Sequence, residues 1–179
     1  MHRRLFLSLA LLALPFAARA HTPYRQWKVY RQRYLLILSS RDDPPSDELA
    51  ERFAATLRET LPESRAQVAR APHVERIASL ISTRQMDVAV LQEATARALF
   101  KGDAPFVDYG PVPLRVLAQS AEYQFVCRED FQNRHAYLVT EALTRSLPGV
   151  KTATVADPSN GVPLHAGTLA FLRGEPLEE

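Results

Sequence analysis

The side chains best suited to binding a small molecule come directly after apolar runs in this 179-residue chain. These candidate ligand-binding residues are Ser39, Ser40, Arg41, His73, Gln92 and Ser120. Their hydroxyl, amide and imidazole groups can hydrogen-bond a polar ligand, and the guanidinium of Arg41 could form a bidentate bond with a carboxylate. We therefore expect a site for a small polar or anionic molecule, with a solvated loop side chain as the alternative for Arg41.

The sequence offers little for catalysis or for metal binding. The histidines beyond residue 20 show no metal-ligand spacing, and Ser39 and Ser40 lack the Gly-x-Ser-x-Gly pattern of a nucleophile elbow. The adjacent Asp42 and Asp43 are typical of a turn. We expect a protein that is not an enzyme and needs no cofactor or metal. The remaining alternative is copper chelation by His21, if cleavage made it the amino-terminal residue.

An alternation of strand and helix patterns positions the candidate residues. Residues 34–40 form a continuous apolar run that is typical of a strand buried on both faces. Residues 64–70 and 86–91 predict two further strands. Between the first two strands, an apolar residue at every fourth position from 49 to 61 indicates an amphipathic helix. A second helix is predicted to begin at Pro72.

Short loops between these elements predict an α/β domain, in the form of a three-layer, mostly parallel sheet with flanking helices. Strands are also predicted over 114–119 and 123–127, and helices over 93–100, 133–147 and 163–172. Ligands of such sheets bind beyond the carboxyl ends of the strands. The candidate residues fall at these strand ends.

The first twenty residues have the pattern of an export signal, with a basic head, a short apolar stretch and the cleavage site Ala18–Ala20. The apolar stretch is too short to span a bilayer. We therefore expect residues 1–20 to be a signal peptide and the protein to act in the periplasm, with an uncleaved anchor as the alternative. Residues 21–33 form a basic, aromatic arm, which would pack on the domain or touch a membrane surface or partner protein. Residues 34–179 are expected to form a single domain.

Charge and cysteine content narrow the possible partners. The chain has 22 Lys and Arg against 20 Asp and Glu, but Arg3, Arg4 and Arg19 lie in the predicted signal, which leaves 19 against 20. This balance gives no support for nucleic-acid binding. Cys127 is the only cysteine, so no internal disulfide can form. Its apolar surroundings predict a buried, inert thiol, with an intermolecular or reactive role as the alternative.

Three stretches follow one another in the order of a known family. Residues 86–92 (Met-Asp-Val-Ala-Val-Leu-Gln) precede a short helix and the Gly102–Phe106 loop, residues 114–128 hold two strands, and residues 162–168 are Val-Pro-Leu-His-Ala-Gly-Thr. In this order they resemble the solute-binding subunits of TAXI-type TRAP transporters. The resemblance implies the periplasmic-binding-protein type II fold, with two α/β lobes around a cleft. It also implies capture of a small organic anion or amino acid for uptake through membrane transporter subunits, with Gln92 as a ligand contact.

The chain departs from this family in ways that change the functional hypothesis. The Arg41–Pro45 loop has no glycine, Ala166 replaces the closing proline, and only 51 residues follow Arg128, whereas a second lobe needs about 100. We therefore expect a single lobe, which would bury a ligand incompletely unless a homodimer or a partner covers it. The leading hypothesis is a solute-binding protein of a TRAP-type uptake system. The alternative is a non-transport accessory protein of a periplasmic enzyme or transporter complex, with the former cleft face as its interface.

Overall fold

A computed structural model describes residues 34–152 and 161–176. All of them belong to one compact unit, Arg31–Glu179. The predicted signal peptide (1–20) and the predicted arm (21–33) lie outside the described residues, as does the proposed copper ligand His21. These three predictions are therefore not tested by the fold.

The centre of the described domain is an open sheet of six strands. They are β1 (Leu36–Ser40), β2 (Gln67–Ala71), β3 (Val88–Gln92), β4 (Leu114–Ser120), β5 (Tyr123–Arg128) and β6 (Val150–Lys151). Across the sheet they lie in the order β2-β1-β3-β5-β4-β6. β1 pairs in parallel with β2 and β3, whereas β5 is antiparallel to β3 and β4, and β6 is antiparallel to β4. The sheet is therefore mixed.

The α/β class is confirmed, but the prediction of a mostly parallel sheet is wrong because it holds only for β1, β2 and β3. Ser120 and Tyr123 face each other across the β4–β5 turn, so only Ala121 and Glu122 connect the two strands. A two-residue connection can join only antiparallel neighbours, since a parallel pair needs a crossover of a dozen or more residues. Ala121 adopts a left-handed backbone conformation (φ 50°) that this tight turn requires.

Five α-helices cover the sheet in the part of the chain that the structure describes. They are α1 (Pro44–Thr60), α2 (Val74–Ser82), α3 (Glu93–Lys101), α4 (Asn133–Ser146) and α5 (Ala166–Leu172). α1 begins with prolines, whose fixed φ suits the first helical turn. Its apolar residues Leu49, Phe53 and Leu57 are buried, which confirms the stripe predicted from their spacing.

The sheet separates two apolar cores, because successive side chains of a strand point to opposite faces. On one face α1 and α4 pack against side chains that include Ile37 and Val88. The ring centroids of Phe53 and Phe125 lie 5.3 Å apart in this core. On the other face α2 and α3 pack against side chains that include Leu38. The predicted three layers are thus present.

Two elements, α5 and β2, begin later than predicted, and one, β6, is not predicted from the sequence. Val116 N donates to Pro163 O (2.8 Å), and His165 N donates to Val116 O (3.0 Å). Because the backbone there pairs with β4, α5 begins three residues after the predicted start at Pro163. Pro62–Ser64 forms a short 3₁₀ helix, so β2 also begins later than predicted. β6 lies in a stretch whose turn-rich composition gave no strand signal.

Gly167 permits the close approach of α5 to α4. A Cβ atom at this position would lie 2.1 Å from the carbonyl oxygen of Asn133 and 2.9 Å from the Cβ of Ala136. We expect Gly167→Ala to lower the free energy of unfolding by roughly 1–3 kcal/mol, because backbone must move to relieve the overlap. Denaturant titration measures this change. Ser146→Ala, at the exposed end of α4, should change it by less than about 0.5 kcal/mol, and equal effects of the two variants would contradict the argument.

Cys127 is buried in β5, as the sequence predicted, and burial raises the pKa of its thiol. The thiolate is the reactive form of cysteine. We therefore expect the native protein to resist DTNB and to release one equivalent of the chromophore per chain after denaturation, since Cys127 is the only cysteine. A Cys127→Ala variant gives the blank. Labelling of the native protein at the rate of a free thiol would disprove the burial.

Candidate functional site

Three loops and one hairpin turn meet at one edge of the sheet. We call this the polar edge, and it consists of residues 40–43, 71–73, 92–93 and 119–123. Ser40 pairs with Ala71 across β1 and β2, and Gln92 pairs with Tyr123 across β3 and β5. Ser120 pairs with Tyr123 from its other side. The carboxyl ends of β1, β2 and β3 therefore lie beside the β4–β5 turn.

Tyr123 links two parts of the polar edge through its hydroxyl group. The hydroxyl donates to Asp43 Oδ1 (2.7 Å) and accepts from Gln92 Nε2 (3.2 Å). Burial raises the pKa of the Tyr123 phenol, and the Asp43 carboxylate raises it further. The hydroxyl therefore keeps its proton at neutral pH. This Asp43–Tyr123–Gln92 chain joins the start of α1 to the end of β3.

Two backbone hydrogen bonds fix the loops of the polar edge. Arg41 N donates to Ala71 O (2.9 Å), which ties the loop after β1 to the end of β2. Glu93 N donates to Glu122 O (2.7 Å), which ties the start of α3 to the β4–β5 turn. The first N–H groups of a helix have no partner within the helix, so the second bond also satisfies one of these donors. The candidate side chains are thus carried by a constrained backbone.

Ser39 is separated from the other candidates because it lies on the opposite face of β1 from Ser40. It is fully buried, and its hydroxyl donates to Asp47 Oδ1 (2.8 Å). Asp47 Oδ2 accepts from Arg70 Nε (2.9 Å). Burial raises the pKa of the Asp47 carboxyl, but the hydrogen bonds from Arg70 and Ser39 outweigh it and hold that pKa below its ordinary value. Ser39 therefore fastens α1 to the sheet.

The Ser40 hydroxyl shapes the loop that follows β1. Ser40 Oγ accepts from Asp42 N (3.3 Å), and Ser40 N donates to Ser46 Oγ (3.3 Å). Ser46 Oγ in turn donates to the carbonyl oxygen of Asp43 (2.8 Å). Since Ser40 is only 4% exposed, its hydroxyl stabilises the turn into α1.

The other four candidates are accessible at the polar edge to different degrees. Arg41, His73 and Gln92 are exposed, and Ser120 is half-buried. His73 Nδ1 lies 2.9 Å from Glu75 Oε2, and Gln92 contacts Tyr123 as described above. The structure therefore brings Ser40, Arg41, His73, Gln92 and Ser120 to one edge of the sheet.

Two residues of the polar edge, Asp43 and Tyr123, are not among the six candidates predicted from the sequence. From the sequence, Tyr123 is predicted only to begin a strand, and Asp43 only to form part of a turn. Asp43 and Tyr123 are 80 positions apart in the chain, so no local spacing could reveal their contact. One signal in the sequence points to Tyr123, because its hydroxyl group stands at the first position of a predicted strand, beside a tight turn.

Two surface grooves among the described residues lie away from the polar edge. One, of about 510 Å³, runs between α4 and α5 and is lined by Tyr137, Gly167 and Arg173 among others. The other, of about 820 Å³, lies near the start of β1 and is lined by Leu35, Leu61 and neighbouring residues. Neither groove is lined by any of the six candidate residues. The polar edge is thus a surface outside both grooves.

Other kinds of site find no support in the described residues. Within 34–152 and 161–176, no three His, Cys, Asp or Glu side chains are grouped to hold a metal ion. Over the same residues, no helix has the length and apolarity needed to cross a bilayer. No protein-family model matches the chain, and no curated protein matches it.

The Tyr123 hydroxyl is expected to stabilise the polar edge. Tyr123→Phe removes the donor to Asp43 and the acceptor of Gln92 while keeping the ring, so we expect the free energy of unfolding to fall by about 1–2 kcal/mol. Chemical denaturation followed by fluorescence measures it. Tyr109→Phe removes a hydroxyl from a half-buried ring in the loop before β4 and is the matched control. Equal losses in the two variants would show that the hydrogen-bond chain is not the cause.

Proposed function

We propose that this chain is an exported, non-catalytic α/β domain of the periplasmic-binding-protein type, and that it acts as an accessory protein through an interface at the polar edge. One observation carries the proposal. Most of the polar groups predicted to bind a solute form hydrogen bonds within the chain, and the two grooves lie away from the polar edge. Ser39 donates to Asp47, Ser40 accepts from Asp42 N, and Gln92 donates to Tyr123.

The path of the chain supports the comparison with one lobe of a type II binding protein. After β5 the chain turns at Phe131 and enters α4, whose residues Ala136, Val139 and Leu143 lie in the same core as α1. The segment that would lead into another lobe in the two-lobed family thus packs back on this sheet. The described residues therefore form only one of the two surfaces that enclose a ligand in the two-lobed family.

A one-sided surface is a poor trap for a small solute. Ligand sites that bind small molecules tightly bury most of the ligand surface in a concave pocket, and the polar edge is not part of either groove. A protein partner can cover such a surface, and polar groups that are already paired lose less on contact than unpaired ones. These considerations favour the accessory role over autonomous capture.

Solute binding for a TRAP-type uptake system is the second candidate, and the accessible Arg41, His73 and Gln92 favour it. The charges of the polar edge limit the kind of solute that could bind there. The exposed carboxylate of Asp42 lies in the same loop as Arg41, and the exposed carboxylate of Glu93 lies in another segment of the polar edge. A dicarboxylate would meet like charge there, whereas an amino acid could place its carboxylate near Arg41 and its ammonium group near the acids.

Pull-down from periplasm separates the two candidates. We expect the wild-type protein to retain a stoichiometric partner that the double variant Arg41→Glu, His73→Glu loses, because both side chains are exposed at the polar edge. Arg145→Glu on α4, whose side chain is 69% exposed, is the control and should retain it.

Calorimetric titration with glutamate and succinate completes this test. The accessory role predicts no binding tighter than millimolar. Tight binding of either solute by the monomer, without a partner, would overturn the accessory role in favour of transport. Self-association lost in the double variant would identify a second copy as the covering partner.

A further inference from the structure

His165 lies where the closing segment meets the rest of the domain. Its backbone N–H donates to Val116 O (3.0 Å), and its Nδ1 accepts from Gly167 N (3.1 Å) at the start of α5. The residue is only 1% exposed. The rings of Phe131 and His165 are close to perpendicular, with their centroids 6.3 Å apart. His165 therefore joins α5, β4 and the loop before α4.

The hydrogen bond from Gly167 assigns the protonation state of the imidazole. A ring nitrogen that accepts an N–H carries no proton, so in this geometry the single ring proton lies on Nε2. A doubly protonated imidazolium has two donors and no acceptor. Adding a proton at Nδ1 would place two N–H groups against each other and would abolish the bond to Gly167.

The surroundings of His165 oppose its protonation. The ionisable groups on the neighbouring elements are Arg115 of β4, Glu129 and Asp130 after β5, and Arg134 and His135 at the start of α4. Burial lowers the pKa of His165 and the Arg115 charge adds to this effect, whereas the backbone groups of Phe131 and Glu129 and the Glu129 charge partly offset it. Glu129 is itself paired with Arg115. Together these effects lower the pKa of His165, so the neutral imidazole is favoured while residues 161–176 are packed on the domain.

Other contacts also hold this segment in place, among them the close packing of Gly167 on α4. Val162 and Leu164 enter the second core, and Thr168 shares a buried hydrogen bond with Thr140 (2.9 Å). Phe171 stacks edge-on against Tyr137, with ring centroids 5.5 Å apart. Because parts of a domain open locally with free energies of their own, loss of the His165 bond to Gly167 lowers the free energy that opening of residues 161–176 requires.

We propose that His165 is a proton-operated latch, and that acidification releases residues 161–176 from β4 and α4. Release uncovers the buried Thr140 hydroxyl and the surface of Val116, both of which are shielded in the closed state. The latch would thus couple the exposure of this surface to the pH of the compartment. The inference does not depend on the accessory function proposed above.

The direction and size of the effect follow from proton linkage. In the closed state residues 161–176 are packed on the domain, and in the open state they are released. His165 binds a proton less readily in the closed state than in the open state, where its imidazole titrates near the ordinary value of about 6.5. The segment is therefore fully held above that pH and loosens as the pH falls. The ratio of open to closed molecules should rise as the pH falls below about 6.5, approaching about tenfold per pH unit until the closed state also binds the proton.

Hydrogen exchange between pH 7.5 and 5.2, corrected for the intrinsic exchange rates, tests the latch. We expect protection of peptides within residues 161–176 to fall by up to about tenfold between pH 7.5 and 5.5, while peptides of β3 keep their protection. His165→Asn should remove this pH dependence, because its Oδ1 can still accept from Gly167 N but does not titrate. His135→Asn removes an exposed imidazole whose centroid lies 6.0 Å from that of the Phe131 ring, and it should leave the pH dependence unchanged.

An NMR titration of the wild-type histidine ring protons keeps the test decisive if His165→Asn does not fold. We expect the His165 resonance to titrate below about pH 6.5, together with shifts of the α5 amides. A midpoint above that value, equal pH dependence in His165→Asn, or loss of protection spread evenly over the sheet would each overturn the latch.

Discussion

The two-residue turn at Ala121 and Glu122 is the constraint on which the rest of the domain depends. It sends β5 back antiparallel to β4, and pairing with β3 then makes β5 the junction between the parallel and antiparallel halves of the sheet. Because β5 runs opposite to β3, the chain leaves the sheet at the end away from the polar edge. α4 begins there and fills the same core as α1. The same turn sets Tyr123 beside Gln92.

Local patterns in the sequence sufficed where structure is decided locally. The apolar runs of β1 and β3 and the fourth-residue stripe of α1 are features of this kind, and their elements lie close to the predicted bounds. Features decided by pairing between distant segments were predicted less well. α5 starts late because Pro163 and His165 pair with Val116, and the two-residue β6 exists only through its pairing with β4. The short turn before β5 requires an antiparallel pair, whereas the strand–helix alternation earlier in the chain predicts a mostly parallel sheet.

The candidate site shows why residue type and position do not by themselves reveal a free binding group. Ser39 and Ser40 are adjacent in sequence, yet alternation of side chains along β1 sends them to different layers. A buried hydroxyl must find a partner, and each of these serines finds one within the chain. The edge is therefore predictable from the rule for strand ends, whereas the partners of its side chains depend on contacts such as that of Asp43 with Tyr123, which only the folded sheet creates.

Arg70 on the outermost strand β2 has a consequence for how far the sheet can grow. Its guanidinium is paired with Asp47 and Glu51 of α1, so a foreign strand approaching this side would meet a cluster of charges. Charged side chains on edge strands are a common protection against intermolecular β-pairing. At the opposite side β6 is only two residues long and offers little backbone for docking. Among the described residues, each outer strand of the sheet therefore has a feature that disfavours intermolecular β-pairing.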